Sequence, residues 1–271
     1  MEWKSVREYH AQFLYTLSSY PKAVRFTQTN KLWEGFWRYG WVSRLLVVLA
    51  VVAGLKFLSL IFNWFQQVDT SDPLVMASSL GSFFSDVAAK EFEFLLSGGM
   101  KYIMLILLEI VIFHMCRRTF QILSGKNSDA SLKAFIRAQV RMLKVALRSY
   151  VLETIIVAII NASTGIFGFL EPMAFIATIL VQAYFVGFTV IDNYYEQFGL
   201  TIKESTVESR RFLGVTLAAG LTLQLLFLIP VLGTLVAPIL AAVAVTIVLY
   251  EITDFHRIPP VPAAVVEEEL V

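Results

Sequence analysis

FLGVTLAAGLTLQLLFLIPVLGTLVAPILAAVAVTIVLY, residues 212–250, runs 39 residues without one charged side chain. The hydrocarbon core of a bilayer is about 30 Å thick, and one helix crosses it with about 20 apolar residues. A single crossing leaves this run far too long, and two full crossings plus a turn are tight. Pro230, Gly233 and Pro238 interrupt the run near its middle. The stretch therefore predicts a helical hairpin inside a membrane: up along 212–229, a break at 230–238, back along 239–250. Full and partial crossing both stay open.

Composition extends this to the whole chain. Of 271 residues 57% are hydrophobic and mean hydropathy is +0.69, above the soluble norm of about half apolar. An integral membrane protein follows, large enough for one helical bundle. Cys116 is the lone cysteine, which excludes an intrachain disulfide and a cysteine-based metal site. No signal peptide is expected, because charges are scattered through the first 40 residues with no apolar core segment among them. Residues 3–29 instead suit an interfacial or cytoplasmic helix, with Trp3, Phe13, Leu14, Tyr15 and Leu17 on its apolar side.

Six apolar stretches stand out: 41–65, 102–116 (continuing as helix through Ile122), 150–160, 173–191 and the two arms of the hairpin. If the N-terminus is cytoplasmic and the stretches pair as three hairpins, 19 of the 22 Lys and Arg fall inside and only Lys90 and Lys101 outside. That bias places both termini in the cytoplasm. The outer connection 66–100 is acidic, with five acids against Lys90. The tail 258–271 has no periodicity and reads as flexible cytoplasmic chain beyond a single membrane domain, 1–257. The third stretch is too short to cross. Either Asn161, Ser163, Thr164 and their neighbours form the tip of a second re-entrant turn, or the helix simply continues to Phe169. Glu171 and Pro172 then start the next helix.

In the cytoplasmic segment 117–149, Lys133, Arg137, Arg141, Lys144 and Arg148 recur at spacings of 4, 4, 3 and 4, so five cations share one helical stripe. Ile136, Val140, Leu143, Leu147 and Val151 form another. Two readings stand: a helix snorkelling its cations to anionic lipid phosphates, or a cationic vestibule for an anionic solute. Lys56 and Glu109 are the most central charges in the spans. Each lies about 10 Å below the outer surface, so they either pair or stay apart, Lys56 snorkelling outward and Glu109 protonated. Polar or helix-breaking pathway positions are Asn161, Ser163, Thr164, Pro230, Gly233 and Pro238. No catalytic motif and no metal-spaced histidine cluster is present; His10, His114 and His256 lie far apart. An enzyme, a cofactor and a nucleic-acid partner are not expected.

Four segments carry a likeness: DNYYEQFGLTIKES (192–205), ESRRFLG (208–214), LIPVLGTLVAP (228–238) and AAVAVT (241–246). With SYPKAVRF (19–26) and KLW (31–33) near the start, the chain resembles the CysZ sulfate permease / etoposide-induced-protein family. The resemblance covers most of the chain and is specific in about the last 65 residues. It implies an all-α membrane bundle with long transmembrane helices and two membrane-embedded helical hairpins. It also implies sulfate uptake across the bacterial inner membrane by a homo-oligomer. That family's anion-contacting Gly-Leu-Arg falls at Lys31, Leu32 and Trp33, so its arginine is missing here; Lys31, Arg25 or Arg38 are the cations available to replace it. A non-transporting scaffold or accessory subunit of a membrane complex is the alternative function.

Overall fold

The computed structural model describes residues 3–36, 59, 66, 100–125, 132–166, 171–227, 229 and 232–255. Among these the fold is all-helical, with no strand: α1 (Trp3–Thr29), α2 (Met100–Ser124), α3 (Leu132–Ile166), α4 (Glu171–Glu196), α5 (Ile202–Arg211), α6 (Leu213–Phe227) and α7 (Leu232–Ile252). The first apolar stretch 41–65, Arg38, Lys56, Pro230, the tail and nearly all of the outer connection lie outside the described residues.

The centre of the bundle is α7, because its sequence has no polar face. A helix that is apolar all round is stable only when neighbours surround it. Residues 241–249 are all buried, and α7 packs against α1, α2, α4 and α6. It runs parallel to α2, with the Thr246 hydroxyl 3.2 Å from Cys116 Sγ and Tyr250 donating to the Leu123 carbonyl at 3.0 Å. Helices α3 and α4 form an antiparallel pair, as do α6 and α7.

Small residues let the helices touch at their backbones. A Cβ on Gly220 of α6 would lie 1.7 Å from the Ala183 carbonyl oxygen of α4, and one on Gly187 would lie 2.0 Å from the Thr216 oxygen. Gly214 meets the Tyr9 carbonyl of α1 in the same way, at 2.0 Å. These contacts fix the register of α6 against α4. Beyond them, α4 extends about 18 Å from Ala183 back to Glu171, whereas α6 extends only about 10 Å from Gly220 to Phe227. The α6–α7 turn therefore stops about 8 Å short of the α3–α4 turn.

Three expectations are corrected. The basic stripe and the third apolar stretch belong to one continuous helix, α3, so Asn161, Ser163 and Thr164 are helical and the reversal comes after Ile166. Ser163 and Thr164 return their hydroxyls to the carbonyls of Ile159 and Asn161, both at 2.8 Å, which lets polar residues stay in the helix. Next, the break in the opening run is confined between Phe227 and Leu232, and Pro238 lies inside α7. A helix surrounded by others tolerates a proline that water would not. Gly233 sits at the turn, where its missing side chain admits the Leu226 carbonyl; a Cβ would come within 1.8 Å of that oxygen. Finally, α1 packs through Thr16, Ser19 and Ala23 and turns Leu14, Tyr15 and Leu17 outward, the reverse of an ordinary amphipathic helix. By length and composition, one described helix, Glu171–Glu196, is long and apolar enough to cross a membrane.

Candidate functional site

The predicted anion contacts gather where α1 ends. Lys31 has φ 47, the left-handed region where a side chain is strained. Its N–H bonds to the Gln28 carbonyl at 3.3 Å, and that of Leu32 to the Thr27 carbonyl at 3.2 Å. That pattern is a Schellman motif with Lys31 in the place usually held by glycine. Leu32 is fully buried, while Lys31 and Trp33 are exposed. The turn is pinned from outside by His114 of α2, whose Nε2 lies 2.8 Å from the Leu32 carbonyl. A carbonyl only accepts, so Nε2 carries the proton.

Beside this turn an open groove of about 400 Å³ is lined by Pro21, Lys22, Arg25, Phe26, Thr29 and Asn30. It presents two cations. Lys22 also reaches Glu251 at the end of α7, and Glu251 accepts from Tyr15 as well. Lys31 faces Glu34 at 3.9 Å. The structure thus brings Arg25, Lys31, Leu32 and Trp33 to one corner. It does not bring Asn161, Ser163, Thr164, Gly233 or Pro238 there, since those lie toward the helix turns at the other end.

Sequence reasoning missed the strongest polar contact. Arg141 of α3 is turned inward: Nε donates to Asp192 Oδ2 at 2.8 Å and Nη2 to Oδ1 at 2.7 Å. Nη2 also donates to Ser205 Oγ at 2.9 Å, and Nη1 to the Leu200 carbonyl. One guanidinium therefore ties α3, α4, the α4–α5 turn and α5 together with the two-point fork that only arginine supplies. The signal available was Asp192 itself, the first charge after the uncharged residues 172–191.

Next to this lock, Glu109 is buried against the C-terminal end of α4, not near the hairpin turns as its depth had suggested. Asn193 Nδ2 donates to Glu109 Oε2 at a long 3.4 Å. Glu109 Oε1 and Asn193 Oδ1 are buried without a hydrogen-bond partner among the described residues.

The entry to α5 carries a second missed signal, the Thr-x-x-Glu pattern at Thr201 and Glu204. Glu204 N–H bonds to Thr201 Oγ1 at 3.3 Å, and the Glu204 carboxylate accepts from Thr201 N–H at 2.8 Å. This capping box satisfies two otherwise open N–H groups. The Thr201 backbone N–H and then its hydroxyl hold the Glu204 carboxyl below the usual range. Thr201→Ala is expected to cost about 1 kcal/mol by thermal unfolding. A carboxylate with a lowered folded pKa contributes above its unfolded pKa and loses that contribution as pH falls through the folded value. The penalty should therefore shrink in acid; a penalty that grows in acid would refute the box.

Among the described residues no group of three or more His, Cys, Asp or Glu is placed to hold a metal ion. Compared with protein-family models, curated proteins and solved structures, the chain matches none.

Proposed function

We propose that this chain is a multi-pass protein of the bacterial inner membrane that admits a small inorganic anion, sulfate or a close analogue, for sulfur assimilation. The observation that carries the membrane part is the inside-out character of α3. Past Arg148, its polar Ser149 and Glu153 point inward at 1% and 6% exposure. Leu147, Ile155 and Ile159 point outward at 61%, 50% and 60%. A helix in water buries the second set; a helix in lipid leaves it out. The distance from Arg148 to Ile166 is about 27 Å, close to the thickness of the apolar core. In this reading α3–α4 crosses fully and α6–α7, shorter by about 8 Å, stops inside the bilayer. The cation-bearing ends of α3 and α5 face the cytoplasm, with both termini.

The anion part rests on the resemblance and on the turn after α1. Lys31 occupies the place of that family's glycine and has the left-handed φ that a glycine takes readily. The groove beside it offers Lys22 and Arg25. Of the two helix starts that follow the hairpin turns, α4 opens on Glu171, which repels an anion, while α7 has no acid in its first turn. Only the α7 start can lend its dipole to an anion.

Uptake of labelled sulfate by proteoliposomes tests the whole reading. Entry no faster than into empty liposomes, together with a stably co-purifying partner, would favour the scaffold or accessory subunit instead. Lys31→Gly gives a sharper result. Relief of the left-handed strain, less glycine's entropy loss, should stabilise the fold by about 0.5 kcal/mol. Loss of the charge should lower sulfate uptake about fivefold, as for one partly exposed ionic contact of about 1 kcal/mol. A stabilised variant with unchanged uptake would remove Lys31 from the site.

A further inference from the structure

The stripe of cations on α3 does not end at Arg148. At the same helical spacing it runs on through Leu152, Ile155 and Ile159, so one line along the helix changes from cationic to aliphatic within a single turn. Arg141 leaves this line to lock the interior, but Lys144 and Arg148 stay exposed, as do Leu152, Ile155 and Ile159. Neither Lys144 nor Arg148 meets a carboxylate among the described residues. The two cations stand one turn apart at about 6 Å, a spacing at which both can reach one phosphate. The aliphatic line below extends about 16 Å from Arg148 to Ile159, room for much of one acyl chain.

We infer that this line is a binding site for a single anionic phospholipid of the cytoplasmic leaflet. Its phosphate sits between Lys144 and Arg148, and one acyl chain lies along Leu152, Ile155 and Ile159. Charge complementarity selects the headgroup, because two unpaired cations at a membrane surface favour an acidic lipid over a zwitterionic one. Each cation adds about fivefold to that preference. The order of the residues selects a lipid over a soluble anion, because phosphate or sulfate alone would leave the aliphatic half of the line without an occupant. The inference rests on the membrane embedding proposed above, and not on the transported species.

Native mass spectrometry of the full chain, released from nanodiscs of mixed phosphatidylglycerol and phosphatidylcholine, reads the site directly. The wild-type chain should retain phosphatidylglycerol in preference to phosphatidylcholine. The double substitution K144Q/R148Q should reduce that preference by roughly twentyfold, two cations at about fivefold each. Ile155→Asn should lower retention of both lipids without changing their ratio. All these residues are on the surface, so the variants should fold. An unchanged headgroup preference in K144Q/R148Q would overturn the site, as would an acidic protein that co-purifies with the wild type in place of lipid. Alkaline carbonate extraction separates the two failures. A chain released from membranes refutes the embedding itself; a chain retained there without headgroup preference refutes only the lipid site.

Discussion

Asp192→Ala should unfold the cation-bearing end of the bundle, at a cost of about 3–5 kcal/mol. The carboxylate is almost fully buried and receives two bonds from Arg141. Its removal leaves a guanidinium in the interior with only the Ser205 hydroxyl and the Leu200 carbonyl. The cost is mainly that stranded charge, not the lost attraction. Replacing both partners by apolar residues of similar volume, Arg141→Met with Asp192→Leu, should therefore do less harm than either single change. Arg141→Lys should fall between, since an ammonium cannot reproduce the fork. Thermal unfolding in detergent, followed by circular dichroism, ranks the four chains. If the double variant is the least stable, the buried pair is a net stabiliser and the desolvation argument fails.

Gly220→Ala is the second large effect, about 3 kcal/mol or more. The added methyl would lie 1.7 Å from the Ala183 oxygen and 2.5 Å from its carbonyl carbon. Both are backbone atoms, so no side chain can swing aside, and α4 and α6 must separate by more than an ångström. Overpacking of this kind usually costs 1–3 kcal/mol, and here the separation also loosens the contact at Gly187. Two consequences discriminate. Ala183→Gly should not rescue Gly220→Ala, because the clash is with main chain. Gly187→Ala combined with Gly220→Ala should cost less than the sum, because the first substitution already opens the gap that the second needs. Full additivity in unfolding midpoints would mean that the two contacts are independent.

The helices were legible in the sequence for different reasons. The uncharged run 212–250 announced α6 and α7 because no soluble element tolerates that length of apolar chain in water. Its break was read too widely, since Pro238 looked like a terminator; the surrounding helices make it an interior residue. Helix α3 was cut in two because its first half is amphipathic and its second half apolar, and a change in solvent was taken for a change in structure. The Arg141–Asp192 lock was hidden for a similar reason. Within a stripe of five equally spaced cations, nothing local distinguishes the one that turns inward. Only its partner, 51 positions later, decides that. Glu109 was placed by counting residues from a helix end, which assumes parallel axes, whereas its contact with Asn193 shows α2 meeting α4 near that helix's C-terminal end.

The burial of α7 on every side has a consequence for biosynthesis. Each helix it packs against precedes it in the chain, so the ribosome delivers the centre of the bundle last. Until residue 252 has cleared the exit tunnel, α1, α2, α4 and α6 surround an empty axis and hold their small-residue contacts without the helix that fills it. Maturation of this protein is thus gated by the end of translation: a chain stalled before α7 should be an early client for membrane quality-control proteases, and the same chain a few seconds later should not.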